Sequence, residues 1–265
     1  MIGWLKEAAE LVALVAGAFV LSSLLSRRVT GWSTGFRRRR WTVLTICAAL
    51  IVLAQVSEEV LGRESDAVDK ALLLAVHAAV PASLMGLFDA LTVTASAVFI
   101  MPAVGAGAVL LLITGRRRDA LQLVLTTALA SAVIYVVKTS IGRTRPALWD
   151  TQWYWGSSFP SGHTLTAAAV ATCLCLLALH ARVRGRAWIV VIATLWVAGV
   201  GLSRLVLGVH WPTDVIAAAA AGLLVAVMVD TLLRRFIRGR AVVPGIPAAL
   251  GSRPPLDPHR SRHEH

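Results

Sequence analysis

The sequence is poor in charged residues for its length. Only 15% of its 265 residues are Asp, Glu, Lys or Arg, whereas 57% are hydrophobic and the mean hydropathy is +0.73. A soluble chain of this size cannot cover its surface with so few charged side chains. No Gly-X-Y or heptad repeat is present, which excludes collagen and a coiled coil, and the apolar composition excludes a disordered chain. We therefore predict an all-α fold, a polytopic transmembrane helical bundle.

Cysteine is also scarce. The three cysteines, Cys47, Cys173 and Cys175, all lie inside apolar runs, and the chain has neither a CxxC pair nor a Cys/His spacing typical of zinc sites. We interpret them as small buried apolar side chains.

Seven apolar runs are long enough to cross a bilayer, which takes about 20 residues. They are Glu7–Leu25, Trp41–Leu61, Leu91–Thr114, Ala120–Lys138, His163–His180, Ala187–Leu207 and Thr213–Leu233. The first is the weakest because Glu7 and Glu10 lie at its start, and its positive charges follow the apolar run, unlike those of a signal peptide. The apolar run Ala71–Phe88 is broken by Pro81, so we predict an interfacial helix and turn there.

The basic residues are distributed unevenly among the connectors. The net charge is +12, and 19 of the 26 basic residues lie on one side of the predicted bundle. The connectors on that side are Ser26–Arg40, Gly115–Asp119, Ala181–Arg186 and the tail from Arg234. The positive-inside rule then predicts seven spans with the C-terminus in the cytoplasm, or six with the same sidedness if the first run lies in the interface. The basic excess therefore indicates membrane orientation and not nucleic-acid binding.

We divide the chain into N-terminal transmembrane segments (1–62), a transmembrane core that continues from the second span (63–238) and a cytoplasmic tail (239–265). Five prolines and little apolar periodicity predict a disordered tail. We interpret His259, His263 and His265 as solvated tail residues.

Four of the seven remaining basic residues lie at span ends on the opposite side: Lys138, Arg143, Arg145 and Arg204. Charges at this depth are costly unless they are paired or line a wet cavity, although a single one can reach the interface by snorkelling. Lys138, Arg145 and Arg204 could supply charge-assisted donors to a phosphate or a similar oxyanion. For Arg143 both interpretations stay open.

Two histidines, a serine and a carboxylate lie at the same predicted end. Ser161 precedes the fifth span and could cap its helix, leaving the backbone N–H groups of Gly162 and His163 for an anion. His210 and Asp214 are spaced i, i+4, so that Asp214 could orient the imidazole. Two histidines with different partners suit a nucleophile and a general acid.

The loop between these segments is rich in aromatic residues, namely Trp149, Trp153, Tyr154 and Trp155. They are interpreted either as an aromatic belt at the headgroup level or as a lipid-facing gate beside the site.

Three segments resemble the motifs of the type 2 phosphatidic acid phosphatase superfamily. Residues 138–146 read KTSIGRTRP, residues 160–163 read PSGH and residues 203–214 read SRLVLGVHWPTD.

The resemblance implies a six-helix phosphatase core, to which this chain adds an N-terminal helix. It also implies a phosphohistidine mechanism without metal or other cofactor, in which His210 is the nucleophile, His163 protonates the leaving oxygen and Asp214 supports His210. Five residues would bind the phosphoryl oxygens: Lys138, Arg145, Ser161, Gly162 and Arg204.

The resemblance leads us to expect a lipid phosphate phosphatase. Its site would lie at the extracytoplasmic face of the plasma membrane, and its substrate would be phosphatidate, phosphatidylglycerol phosphate or a polyprenyl phosphate or pyrophosphate. Two alternatives are a lipid phosphotransferase that uses a hydroxyl acceptor and a non-catalytic transporter of phosphorylated lipid. We expect no nucleic-acid partner.

Overall fold

The computed structural model describes Gly17, residues 33–151 and residues 154–240, and the regular structure in this part of the chain is entirely helical. The α-helices are α1 (Ser33–Gly62), α2 (Asp66–Ala79), α3 (Met85–Thr94), α4 (Ala97–Ile113), α5 (Arg117–Ile141), α6 (Gly162–His180), α7 (Arg186–Val206) and α8 (Pro212–Arg240). The predicted all-α class is confirmed. Apart from Gly17, the predicted first span, Glu7–Leu25, lies outside the described residues, as do residues 241–265 of the predicted tail.

Five of the described helices are long and apolar enough to cross a membrane: α1 from Thr42, α5, α6, α7, and α8 as far as Phe236. The helix α4 is apolar but has only 17 residues. Our prediction of one continuous span over Leu91–Thr114 is wrong, because the helix is interrupted between Thr94 and Ala97. The hydroxyls of Thr94 and Ser96 donate to backbone carbonyls three residues earlier. Such side-chain hydrogen bonds compete with the regular backbone hydrogen bonds of a helix. The chain is a multi-pass membrane protein.

The helices α2 and α3 form a bent pair. Their axes meet at 91° across a break that contains Pro81 and the 3₁₀ turn Ala82–Leu84. Proline has no backbone N–H and disfavours helix in the residue before it, so the chain turns here. The break predicted at Pro81 is therefore confirmed, and it joins two helices; the interfacial placement of Ala71–Phe88 stays a prediction. The pair packs on α7 and α8, which places it beside the loop ends of those helices.

The helix α6 is the centre of the bundle and packs against α5, α7 and α8. Small side chains make this close packing possible, since buried alanines occupy positions 167, 168, 169 and 171. Between membrane helices the hydrophobic effect does not drive association, and close packing of small residues stabilises it instead. Gly222 of α8 lies at the closest approach and faces the backbone of α6.

The polar ends of three helices meet at one end of the bundle. Asp230 of α8 accepts hydrogen bonds from Arg234 at 2.9 Å, and it lies 4.0 Å from Arg118 Nη2 and 3.7 Å from His180 Nδ1. The start of α5 and the ends of α6 and α8 therefore lie together. The opposite ends of the same helices, which carry the motifs, are consequently gathered at the other end of the bundle.

We expect Gly222→Ala to lower the melting temperature of the detergent-solubilised protein. The added Cβ would lie 2.8 Å from Ala168 Cβ and 2.9 Å from the Ala169 nitrogen, and overpacking of this kind costs about 1–3 kcal/mol. Gly105→Ala is the matched control, because that helical glycine has open space around it. Equal melting temperatures of the two variants would contradict the packing described for α6 and α8.

Candidate active site

The three motif segments meet at one end of the bundle and are joined by hydrogen bonds. The Ser161 N–H, at the start of α6, donates to the Asp214 carbonyl of α8 at 3.2 Å. Arg145, in the loop after α5, donates through Nη1 to the Val209 carbonyl at 2.9 Å. Gly142 ends α5 in the left-handed conformation and turns the chain into that loop. The structure thus brings together all eight predicted site residues in segments that are in direct contact.

Arg204 is fully buried at the end of α7, with 0% of its surface exposed. Its Nη1 donates to Thr92 Oγ1 at 2.5 Å and lies 3.4 Å from the Tyr154 hydroxyl. Its Nε and Nη2 have no hydrogen-bond partner among the described residues. A buried guanidinium with two unpaired nitrogens is costly in an apolar environment, and an anion that accepts from their N–H groups would relieve that cost.

Two further cations lie beside Arg204. Lys138 is buried and donates through Nζ to the Ser157 carbonyl. Arg145 Nε is buried and has no partner in the described part of the chain. Burial and the nearby positive charge of Arg204 lower the pKa of the Arg145 guanidinium, although Asp214 acts in the opposite direction. Like charges held close together in this way favour binding of a multiply charged anion.

His210 is buried in the turn between α7 and α8 and has a different environment at each ring nitrogen. Its Nδ1 lies 3.5 Å from Asp214 Oδ2, and its Nε2 lies 3.4 Å from Arg145 Nη1. The spacing i, i+4 therefore does place Asp214 beside the imidazole. Burial lowers the pKa of His210 to about 4; Arg204 and Arg145 act in the same direction and Asp214 opposes them. The imidazole is consequently neutral at neutral pH.

His163 occupies the first turn of α6, half-buried, and meets the Tyr154 ring edge-on at a centroid distance of 6.3 Å. Tyr154 also lies under both arginines, with Arg204 Cζ 4.6 Å and Arg145 Cζ 5.4 Å from the ring centroid. Of the aromatic residues predicted around the site, Tyr154 therefore contacts the cations directly. Trp153 lies outside the described residues.

The predicted capping role of Ser161 is wrong. Ser161 does stand at the N-cap position of α6, but its side chain makes no capping hydrogen bond. Its hydroxyl lies 3.0 Å from Thr164 Oγ1 instead, and a second hydroxyl at that distance satisfies it without the backbone. The neighbouring Gly162 packs beside the stem of Lys138, whose Cε lies 3.8 Å from the position of an added Cβ.

Sequence reasoning missed Asp69 and left Arg143 undecided. Arg143 Nη1 contacts Asp214 Oδ1 at 2.6 Å, and its Nη2 contacts Asp69 Oδ2 at 2.7 Å. Asp69 lies in α2, outside every motif, and its residue type and spacing carry no local signal of a role. Thr92 of α3 was missed for the same reason.

An apolar cavity of about 260 Å³ adjoins His163 between α4, α5 and α6. Its lining includes Ile100, Met101, Ile134 and Trp155. Among the described residues, no group of three or more His, Cys, Asp or Glu side chains is placed to hold a metal ion.

The comparisons with known proteins agree with the motif resemblance. Residues 119–238 match the PAP2 superfamily. Phosphatidylglycerophosphatase B of Escherichia coli (strain K12) is 46% identical over 64 residues, which are 24% of this chain and 24% of the relative. Lipid A 1-phosphatase of Porphyromonas gingivalis is 37% identical over 99 residues, 37% of this chain and 20% of the relative. The chain thus spans about a quarter or less of the length of the curated relatives it matches.

Two crystal structures share the fold. One is the transmembrane PAP2-type phosphatidylglycerolphosphate phosphatase from Bacillus subtilis, with a TM-score of 0.65, 24% identity and coverage of 72% of this chain and 96% of that one. The other is Aquifex aeolicus LpxE, with a TM-score of 0.51, 24% identity and coverage of 61% and 93%. The family resemblance inferred from the motifs is confirmed.

We expect acid to destabilise the wild-type protein more than His210→Asn. Unfolded histidine takes up a proton near pH 6.5, whereas folded His210 does so only near pH 4. Between these values the unfolded state binds more protons, so stability falls as the pH is lowered through this window. Melting temperatures in detergent from pH 7 to pH 5 measure the effect. Parallel curves for the two proteins would contradict it.

We expect Gly208→Ala to weaken binding of orthovanadate, a phosphate-like oxyanion. Gly208 has φ +67° two residues before His210, and an added Cβ would lie 2.5 Å from the Trp149 ring, so the turn must move. A displacement of about 1 Å at a catalytic site lowers the rate by up to about a hundredfold, and the same displacement should weaken contacts with a bound oxyanion. Gly115→Ala is the matched control, since φ there is +75° and nothing lies nearby. Calorimetric titration measures binding, and equal affinities would disprove this role of Gly208.

Proposed function

We propose, from the premise that residues 119–238 belong to the PAP2 superfamily, that this multi-pass membrane protein is a lipid phosphate phosphatase. The observation that carries the proposal is the buried guanidinium of Arg204, two of whose N–H donors lack partners among the described residues. Lys138 and Arg145 lie beside it, and two histidines adjoin them. Three clustered cations, two of which have unpaired donor nitrogens among the described residues, suit a phosphoryl group, whose transfer depends mainly on positioning and charge stabilisation.

The orientation of His210 supports its role as the nucleophile. Asp214 Oδ2 is 3.5 Å from Nδ1, so a proton on Nδ1 faces the carboxylate and leaves the Nε2 lone pair directed towards the cations. Nε2 attacks phosphorus, the bond from phosphorus to the lipid oxygen breaks, and His163 passes a proton to that oxygen. Water then attacks the phosphohistidine and releases phosphate, with His163 accepting the proton from water.

The surroundings of His163 support an amphiphilic substrate. The 260 Å³ cavity beside it is mainly apolar, and its lining residues Met101 and Tyr135 are also exposed on the outer surface of the bundle. Phosphatidate, phosphatidylglycerol phosphate and polyprenyl phosphate or pyrophosphate all combine a phosphate with chains that stay in the bilayer. We propose these classes as substrates.

The charge distribution supports the proposed sidedness. The arginine-rich connectors around Arg118 and Arg234 lie at the end of the bundle opposite to the candidate site. The positive-inside rule favours a cytoplasmic location for that end, and we therefore propose that the site faces the extracytoplasmic side of the plasma membrane.

We expect purified wild-type protein to release phosphate from at least one of these lipids and His210→Ala to lose at least about a thousandfold in kcat, because the nucleophile is gone. His180→Ala is the matched control, since His180 lies at the far end of α6.

A radiolabelled substrate should leave an acid-labile, alkali-stable label on the wild type and none on His210→Ala. Full activity of His210→Ala would exclude the proposed nucleophile, and transfer of the label to an added alcohol would favour the phosphotransferase alternative.

We expect the same activity in excess EDTA, because Lys138, Arg145 and Arg204 supply the positive charge that a metal ion otherwise would. The assay compares EDTA-treated protein before and after addition of magnesium. Activity that disappears with EDTA and returns with magnesium would refute the metal-free mechanism.

A further inference from the structure

Arg143 lies buried between two carboxylates that come from distant parts of the chain. Its side chain is 8% exposed, with Nη1 at 2.6 Å from Asp214 Oδ1 and Nη2 at 2.7 Å from Asp69 Oδ2. The planar guanidinium holds two contacts at a fixed angle, which a lysine ammonium does not do. Arg143 therefore couples the position of Asp214 to that of Asp69.

Asp69 reaches the site from α2, and both of its carboxylate oxygens accept hydrogen bonds. Its Oδ1 accepts the Thr213 N–H at 3.0 Å, and its Oδ2 accepts the Thr213 hydroxyl at 2.5 Å in addition to Arg143. Only 1% of its surface is exposed. Asp69 thus caps the first turn of α8, the turn that carries Asp214, and holds Arg143 at the same time.

Asp214 divides its two oxygens between Arg143 and the histidine side of the site. Oδ1 accepts from Arg143, while Oδ2 accepts the Trp211 N–H at 2.9 Å and lies 3.5 Å from His210 Nδ1. Occupation of Oδ1 by Arg143 leaves Oδ2 as the oxygen that faces the imidazole. The contact with Arg143 therefore determines how Asp214 meets His210.

Arg143 is the one cation in this group and is shared by two carboxylates. Burial acts to lower the pKa of Arg143, but Asp214 and Asp69 more than offset it, and the pKa is raised. Without Arg143, two buried carboxylates would face each other across Thr213, and an unpaired buried charge is strongly destabilising. The arrangement depends on all three charged groups.

We infer that Asp69 and Arg143 are a pair of positioning residues that act through Asp214 to hold His210 with its proton on Nδ1 and its Nε2 unprotonated. The inference rests on the proposed function, in which Nε2 is the nucleophile. Asp69 lies outside the region 119–238 that matches the superfamily, so this part of the machinery is supplied by the bent pair α2–α3.

The variant Asp69→Asn tests the pair with little change of shape. Both oxygens of Asp69 act as acceptors, so in either orientation the asparagine amide places a donor against one of its present partners. Asp66→Asn is the matched control: Asp66 is on the same helix and 3.5 Å from Arg143 Nη2, but its side chain is 62% exposed. Arg143→Lys replaces Asp69→Asn if the latter does not fold.

Two measurements on the folded variants decide the question. We expect Asp69→Asn to lower kcat about tenfold to a hundredfold, with KM within about twofold, because substrate binding is kept while the nucleophile loses its alignment. In ¹⁵N-histidine NMR at neutral pH, the His210 ring, assigned by its absence in His210→Ala, should show the Nδ1–H form in wild type and Asp66→Asn. It should show a mixture of tautomers in Asp69→Asn.

A lower melting temperature with unchanged kcat and unchanged His210 tautomer would overturn the inference and leave Asp69 as a structural cap only. Equal effects of Asp69→Asn and Asp66→Asn would overturn it as well. If the wild type hydrolyses no lipid phosphate, the proposed function fails, and the NMR comparison still decides whether Asp69 and Arg143 position His210.

Discussion

Positive charge buried without enough counter-charge is the constraint on which the rest of this structure depends. Arg204 is inaccessible to solvent, Lys138 and Arg145 are close to it, and donors on both arginines have no partner among the described residues. Such a cluster persists only where packing enforces it. The small residues of α6 and Gly222 of α8 provide this packing, because they allow the helices that carry the motifs to approach closely.

The carboxylates near this cluster are arranged so that they do not neutralise it. Asp69 and Asp214 are both buried, and both contact Arg143 in preference to Lys138 or Arg145. A carboxylate released from Arg143 would be a competing ligand for the same cations that a phosphate would bind. Arg143 thus keeps the two carboxylates paired with itself, and the donors of Arg145 and Arg204 that are unpaired among the described residues stay available to an anion.

Sequence patterns were sufficient for the helical class, the spans α5 to α8 and the gathering of the three motifs at one end of the bundle. Hydropathy failed at Leu91–Thr114, because it averages over the hydroxyls of Thr94 and Ser96, which lie at the break between α3 and α4. It also gave no indication that Ser161 would bond to Thr164 instead of capping α6. These details depend on single hydrogen bonds, which an average over a window of residues cannot resolve.

Asp69 shows why a site of this kind extends beyond its motifs. A motif records residues at fixed separations, whereas Asp69 reaches Arg143 and Thr213 across 74 and 144 residues of chain. Thr92, its counterpart in α3, likewise reaches Arg204 across 112 residues. The 91° bend at Pro81 directs both helices of the pair towards the motif ends of α7 and α8. Relatives that share the motifs therefore need not share this second set of contacts, and differences in the α2–α3 segment provide a physical route by which sites with the same motifs differ in activity.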